Sequence, residues 1–183
     1  LPLSGVQAGI GQSCKRGVDI APALLKQLGY TQNIEFTVVD FETNVDVARA
    51  RAERLIADGC HMLSGPFDSG AAAAIAQVCE QKGVPFMINI AAAPQITEQG
   101  YKFTFRNFQT APQIIGRGLA LFPQIFAATG KTPQTAVLMH INDTFGQANK
   151  TAIDRIFPTM NLPFKIVDSI AYDPAARDLS VEV

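Results

Sequence analysis

Two hydrophobic periods alternate along this chain. From Gln12 to Leu28, Cys14, Val18, Ala21, Leu25 and Leu28 recur at helical spacing, and Gly29 closes the predicted helix. Pro22 inside it predicts a kink. Glu35 to Phe41 reads as a strand, apolar on both faces near its middle. Thr43 and Asp46 form a capping box for a second helix, with Val45, Ala48, Ala52, Leu55 and Ile56 as its buried stripe and Gly59 at its end. A short strand, Cys60 to Ser64, leads to a third helix that starts near Ser69. That helix turns Ala72, Ile75, Ala76 and Cys79 inward and ends at Gly83 and Pro85. Pro85 to Ile90 is continuously apolar, as parallel strands covered on both faces are. A loop, Ala91 to Gln99, precedes a short strand around Lys102–Phe105.

A second series follows Arg106. A helix from Pro112 to about Ala128 carries Ile115, Leu119, Phe122 and Phe126 on one face. Then come a strand, Thr135–Ile141, a helix from about Gly146 to Met160, and a strand, Phe164–Ala171. Alternating helices and strands with short connections predict an α/β fold built on parallel sheets with right-handed crossovers. The break at Arg106–Ala111 divides the chain into units 1–105 and 106–183. Only Leu1-Pro2-Leu3 precedes the loop into the first helix, where a βαβ unit calls for a strand. Asp173 to Val183 reads as the approach to a further helix. Both ends lead us to expect a part of a longer protein, each unit being incomplete.

Composition narrows the function. The 183 residues are 48% hydrophobic and carry a formal charge of −1, enough for a sizeable core and a poor match to nucleic acid or an anionic membrane. No apolar run is long enough to insert in a bilayer. Cys14, Cys60 and Cys79 show neither metal spacing nor a disulfide pattern and read as small buried hydrophobes, with a Cys60–Cys79 bridge as the alternative. No cofactor motif is complete: Gly9-Ile10-Gly11 and Asp40 make a fragment of a dinucleotide site, with Cys14 at the third glycine position. No nucleophile–His–acid set emerges, so the chain does not read as an enzyme.

The junction from Cys60 through Gly65-Pro66-Phe67-Asp68-Ser69-Gly70 carries the most chemistry. Asp68 or Ser69 caps the helix that follows, and the first-turn N–H groups beside the positive end of the helix dipole suit an anion such as a carboxylate. The junction reads as a place that holds a ligand rather than transforms it. His61 and His140 fall in predicted strands and read as structural, and Asn142-Asp143 can simply shape a turn.

These residues, in order, resemble the type I periplasmic binding proteins, in particular the leucine/isoleucine/valine-binding solute receptors of ABC transporters. The resemblance rests on Pro2-Leu3-Ser4-Gly5, Gly9 to Gly17, Ala48 to Gly65, Pro66 to Ser69, Pro85 to Gly100, Lys102 to Arg106, Asn142 to Gly146 and Asp173 to Val183. It implies two Rossmann-like lobes joined by hinge strands, with a ligand in the cleft. It also implies an extracytoplasmic, periplasmic or lipid-anchored location with a signal peptide, and a membrane permease as partner.

In this resemblance Ser69 Oγ, backbone N–H groups from Asp68 onward and the backbone of Ala91, Ala92 and Ala93 would hold a small carboxylate-bearing solute, an amino acid or an aromatic or apolar acid, with the Asp68 carboxylate turned aside. Ile10 and Phe67 would wall it from the first lobe and Phe145 from the second, with Arg106, Phe108 and Asn142 as further contacts. Phe67 and Phe145 serve equally as core residues, and Arg106 as a solvated hinge charge. Three positions depart from the family: Ile10 stands for an aromatic, Ala92 or Ala93 for a hydroxyl side chain, and Phe145 for the common Tyr. They argue against an ordinary branched-chain amino acid, and Phe67, Phe145 and Phe108 favour an aromatic or other apolar carboxylate. A ligand-sensing domain of a receptor or regulator has the same fold and is the alternative, with a nucleotide-dependent enzyme more remote.

Overall fold

The computed structural model describes residues 1–180. Helix α1 spans Ala8–Gln27 and α2 Val45–Ala57. Strand β1 (Leu63–Ser64), helix α3 (Ser69–Lys82), strand β2 (Phe86–Ile88) and strand β3 (Thr104–Arg106) follow. They form one three-stranded sheet in sequence order, with both pairings parallel. Helices α4 (Ala111–Leu119) and α5 (Phe122–Thr129) lead to strand β4 (Thr135–Ile141). Helix α6 (Thr144–Ile156) returns the chain to strand β5 (Lys165–Tyr172), which lies parallel to β4 in a second sheet.

The helix ends follow side-chain capping. The carboxylate of Asp68 accepts from Ala71 N–H at 2.7 Å and starts α3, and Gly83, at φ +66°, ends it. For α2 the cap is Asn44, which accepts from Asp46 and Val47 N–H, rather than the Thr43 box expected from sequence. Thr43 is at φ +55°, outside the helix. The single long helix expected after Pro112 is broken into α4 and α5. Pro123 lies in the first turn of α5; in one continuous helix its ring would clash with the carbonyl of Leu119.

Two expected strands are reduced. Cys60–Ser64 contracts to Leu63–Ser64, which leaves His61 exposed and outside the sheet. Glu35–Phe41 belongs to no sheet; its one extended-chain partner among the described residues is Leu1, through Leu1 N–H to Val39 O and Phe41 N–H to Leu1 O, while Asn44 N–H and Arg51 Nε cap Phe41 O and Asp40 O. Strand geometry needs a ladder partner on at least one edge, and these residues have little. Residues 173–180 hold no helix, and the rest of the expected approach to one lies outside the described residues.

The main core joins the two sheets' flanking helices. Ala72, Ala76 and Cys79 of α3 pack with Phe86 and Ile88 of β2 and with Ala148 and Ala152 of α6. Small residues on α3 and α6 let the helices approach closely. A second aromatic group, Phe122, Phe126, Phe157 and Phe164, packs α5 against the approach to β5 with ring centroids 5.1 to 6.0 Å apart.

Candidate functional site

The N-terminus of α3 forms the centre of the site. Ser69 is 1% exposed, and its Oγ accepts from Ala93 N–H at 3.4 Å. That bond brings the loop after β2 against the helix start. Asp68 uses both oxygens: Oδ1 caps α3, and Oδ2 accepts from Gln7 Nε2 at 2.9 Å. Ser69 and Gly70 N–H have no acceptor among the described residues.

The loop is fixed from behind by Arg106. Its guanidinium donates to the carbonyls of Ala91 and Ala93, the latter at 2.7 Å, and to Thr97 Oγ1 at 3.4 Å. Burial pushes the Arg106 pKa below its ordinary value, opposed by the charge of Glu98. An arginine stays charged through such a shift. Ala111 N–H takes the remaining carbonyl, that of Ala92, at 2.8 Å. All three loop carbonyls are therefore occupied from within the protein. Ala91 and Ala92 N–H have no acceptor among the described residues.

A second helix start comes to the same place from the second sheet. A Cβ added at Gly70 would lie 3.5 Å from Thr144 Oγ1, at the first residue of α6. Asp143 caps α6 through Gly146 N–H at 2.7 Å. The positive ends of two helix dipoles thus meet across a glycine. Phe145, next to Thr144, is 45% exposed.

The other expected contacts are placed as follows. Ile10 is in the first turn of α1, not in a loop, and is exposed, because α1 begins at Ala8 rather than Gln12. Phe67 is half-buried beside the cap. Phe108 is exposed after β3, and Asn142 is exposed and accepts from Gln147 Nε2 at 3.0 Å. None of Ile10, Phe67, Phe108 and Phe145 belongs to a core cluster of the described residues. His140 is 8% exposed in β4, with Nδ1 3.1 Å from Ile141 O.

Sequence reasoning missed Gln7, whose Oε1 is buried without a partner, and the pairing of Gly70 with Thr144. A cavity of about 690 Å³ lies elsewhere, between Asn33–Val39 and β1, and reaches the site only through Ser64, Gly65 and Pro66.

A family model described as periplasmic binding protein matches residues 1–183. The chain belongs to the periplasmic binding protein family. The Leu/Ile/Val-binding protein homolog 7 of Brucella abortus is 33% identical over 107 residues, 57% of this chain and 27% of that protein. Homolog 8 is 29% identical over 137 residues, 73% of this chain and 34% of its own length.

Among solved structures, the solute binding protein of an ABC transporter from R. palustris in complex with benzoate superposes with a TM-score of 0.81. It is 21% identical and covers 99% of this chain and 49% of its own. A leucine binding protein from Thermotoga maritima gives the same TM-score at 19% identity, with the same coverage. These likenesses establish the type I periplasmic binding protein fold, α/β with parallel sheets. The chain spans about a third of the curated relatives it matches and about half of the solved structures. Among the described residues, no helix is long and apolar enough to cross a membrane.

Proposed function

We propose that this chain is part of an extracytoplasmic solute-binding protein of an ABC transporter, and that its site holds the carboxylate of an aromatic or other apolar acid. The carrying observation is the meeting of two helix starts at Gly70 and Thr144, beside Ser69 and Gly70 N–H groups that lack acceptors. Such groups favour an anion. Residues 1–105 and 106–183 would be the first parts of two lobes, closing on the ligand about the segment around Arg106. A membrane permease would receive the solute, and no chemical step is needed.

The occupied carbonyls narrow the ligand. An amino acid presents an ammonium group, which needs acceptors. At this loop the carbonyls of Ala91, Ala92 and Ala93 already accept from Arg106 and Ala111. The free backbone groups here are N–H donors, which suit a carboxylate. Phe67 and Phe145 would face the apolar body. Related structures contain benzoate and 4-hydroxybenzoate as well as isoleucine, all carboxylates.

The test is a thermal-shift and calorimetric titration of the complete protein with benzoate, 4-hydroxybenzoate, leucine and isoleucine. Binding raises stability by about 2.7 kcal/mol at a hundredfold excess over Kd. The expected result is a shift with the aromatic acids. A shift with leucine or isoleucine alone would overturn the ligand class, and conversion of the bound acid to a product would overturn the binding role.

A further inference from the structure

Thr144, the first residue of α6, carries a hydroxyl that makes no hydrogen bond among the described residues. Its Oγ1 lies 3.5 Å from the point a Cβ on Gly70 would occupy. Cβ bonds in a helix tilt toward its N-terminus, so that point is on the open side of the first turn of α3. Ser69 and Gly70 N–H belong to the same turn and lack acceptors among the described residues. Gly70 permits the approach: a side chain there would meet Asp68 Oδ1 and Val45 Cγ2, each at 3.3 Å, before it met Thr144.

The unengaged groups that converge here are donors. Ser69 is 1% exposed, and its Oγ accepts from Ala93 N–H. Its own hydroxyl hydrogen has no acceptor among the described residues. On α6, Asp143 Oδ1 takes Gly146 N–H and Asp143 O takes Gln147 N–H, which leaves Thr144 and Phe145 N–H without acceptors among the described residues. The nearby carboxylate of Asp68 is engaged on both oxygens, by Ala71 N–H and by Gln7 Nε2. A hydroxyl shut away from water without an acceptor is costly. One anion lodged between the two helix starts satisfies both hydroxyls.

We propose that Thr144 Oγ1 is a ligand contact from the second unit, donating to the same carboxylate that Ser69 and the first turn of α3 hold. The inference rests on the carboxylate reading above and adds a donor from the opposite side. A hydroxyl donating to a charged acceptor makes a shorter and stronger bond than one donating to a neutral carbonyl. The hydroxyl has no partner in the ligand-free protein, so it serves binding rather than the fold. Valine has nearly the same shape as threonine and takes away only the donor.

The experiment compares the complete parent protein with Thr144→Val and Thr144→Ser. Benzoate and leucine are titrated calorimetrically into each, and each is melted without ligand. Thr144→Val should weaken the acid that binds by about tenfold or more, as loss of a hydrogen bond to a charged group does. Thr144→Ser, which keeps the donor, should stay close to the parent, and the three ligand-free melts should coincide. Leucine bound in place of benzoate, and weakened by Thr144→Val, would overturn the ligand class and uphold this contact. Equal affinities of the parent and Thr144→Val would overturn the contact and leave the carboxylate reading standing. A lower ligand-free melting temperature for Thr144→Val with unchanged affinity would also overturn it, since the hydroxyl would then serve Asp68. A parent that binds neither acid would overturn both.

Discussion

Arg106 donates to the carbonyl of Ala93 at 2.7 Å while its other terminal nitrogen holds the carbonyl of Ala91. One planar fork thus sets the path of the loop that faces Ser69. Arg106→Ala should lower stability by about 1–3 kcal/mol, because buried carbonyls lose their donors. Arg106→Lys should recover only part of this, since a point charge cannot fork to two acceptors. Thermal melts of the three proteins decide it; an unchanged midpoint for Arg106→Ala would show that the loop holds itself.

Ser69→Ala removes the acceptor of Ala93 N–H and should cost about 1–3 kcal/mol of stability. If Ser69 also contacts the carboxylate, benzoate affinity falls beyond what Gln7→Ala, a neighbour of the cap, produces. Calorimetry on both variants separates the roles: equal affinities would confine Ser69 to the fold.

Asp68 caps α3 and holds Gln7. Asp68→Ala should cost about 0.5–2 kcal/mol, and Asp68→Asn much less, because an amide oxygen caps nearly as well. Urea unfolding midpoints measure the difference; the reverse order would mean that charge, not the cap, matters at this position.

Gly146 sits where a Cβ would come within 1.8 Å of Ile141 O. A backbone atom cannot swing aside as a flexible side chain does. Gly146→Ala should therefore destabilise by about 1–3 kcal/mol or more, through a shift of α6 against β4. Retention of the parent melting temperature would contradict the close approach.

Asp40 accepts from Ser4 Oγ at 2.7 Å and from Glu42, Leu3 and Ser4 N–H, which holds its pKa at about 2 against an ordinary 3.8. A depressed carboxylate stabilises the fold above its unfolded pKa and stops doing so as acid protonates it. Stability of the parent should fall as pH drops from 3.8 to about 2. Asp40→Asn should fall less steeply across that window, Asp178 being among the carboxylates that still titrate there. Melting temperatures against pH test this, and identical slopes would remove Asp40 from the acid transition.

The fold was legible where local signals and long-range pairing agree. Thr135–Ile141 is read to its ends because it is a continuous strand pattern before the Asn142-Asp143 turn and has β5 beside it. Glu35–Phe41 has an equally good pattern, yet among the described residues no strand pairs with it. Periodicity records which faces want burial and is blind to which partner is present. The break between α4 and α5 was open to reading, since Pro123 stands in the sequence and its steric rule is local.

The site divides in the same way. Ser69 and Asp68 lie at a strand–turn–helix junction whose capping chemistry is local. Arg106 as a clamp depends on a fold that brings it to carbonyls 13 and 15 residues away in the chain. Gly70 and Thr144 lie at the starts of α3 and α6, 74 residues apart, so no short sequence window contains both.

The parallel pairing of every strand also governs how the chain folds. The nearest partners, Phe86 and Thr104, are separated by 18 residues, and Leu63 and Phe86 by 23. Thr135 and Lys165 are 30 apart. No hairpin can zip first; β1–β2 and β4–β5 wait for a helix and its loops to close over the sheet, and β2–β3 for the loop of residues 89–103. Loop closure, rather than helix nucleation, then sets the pace, and assembly is slow relative to formation of the individual helices.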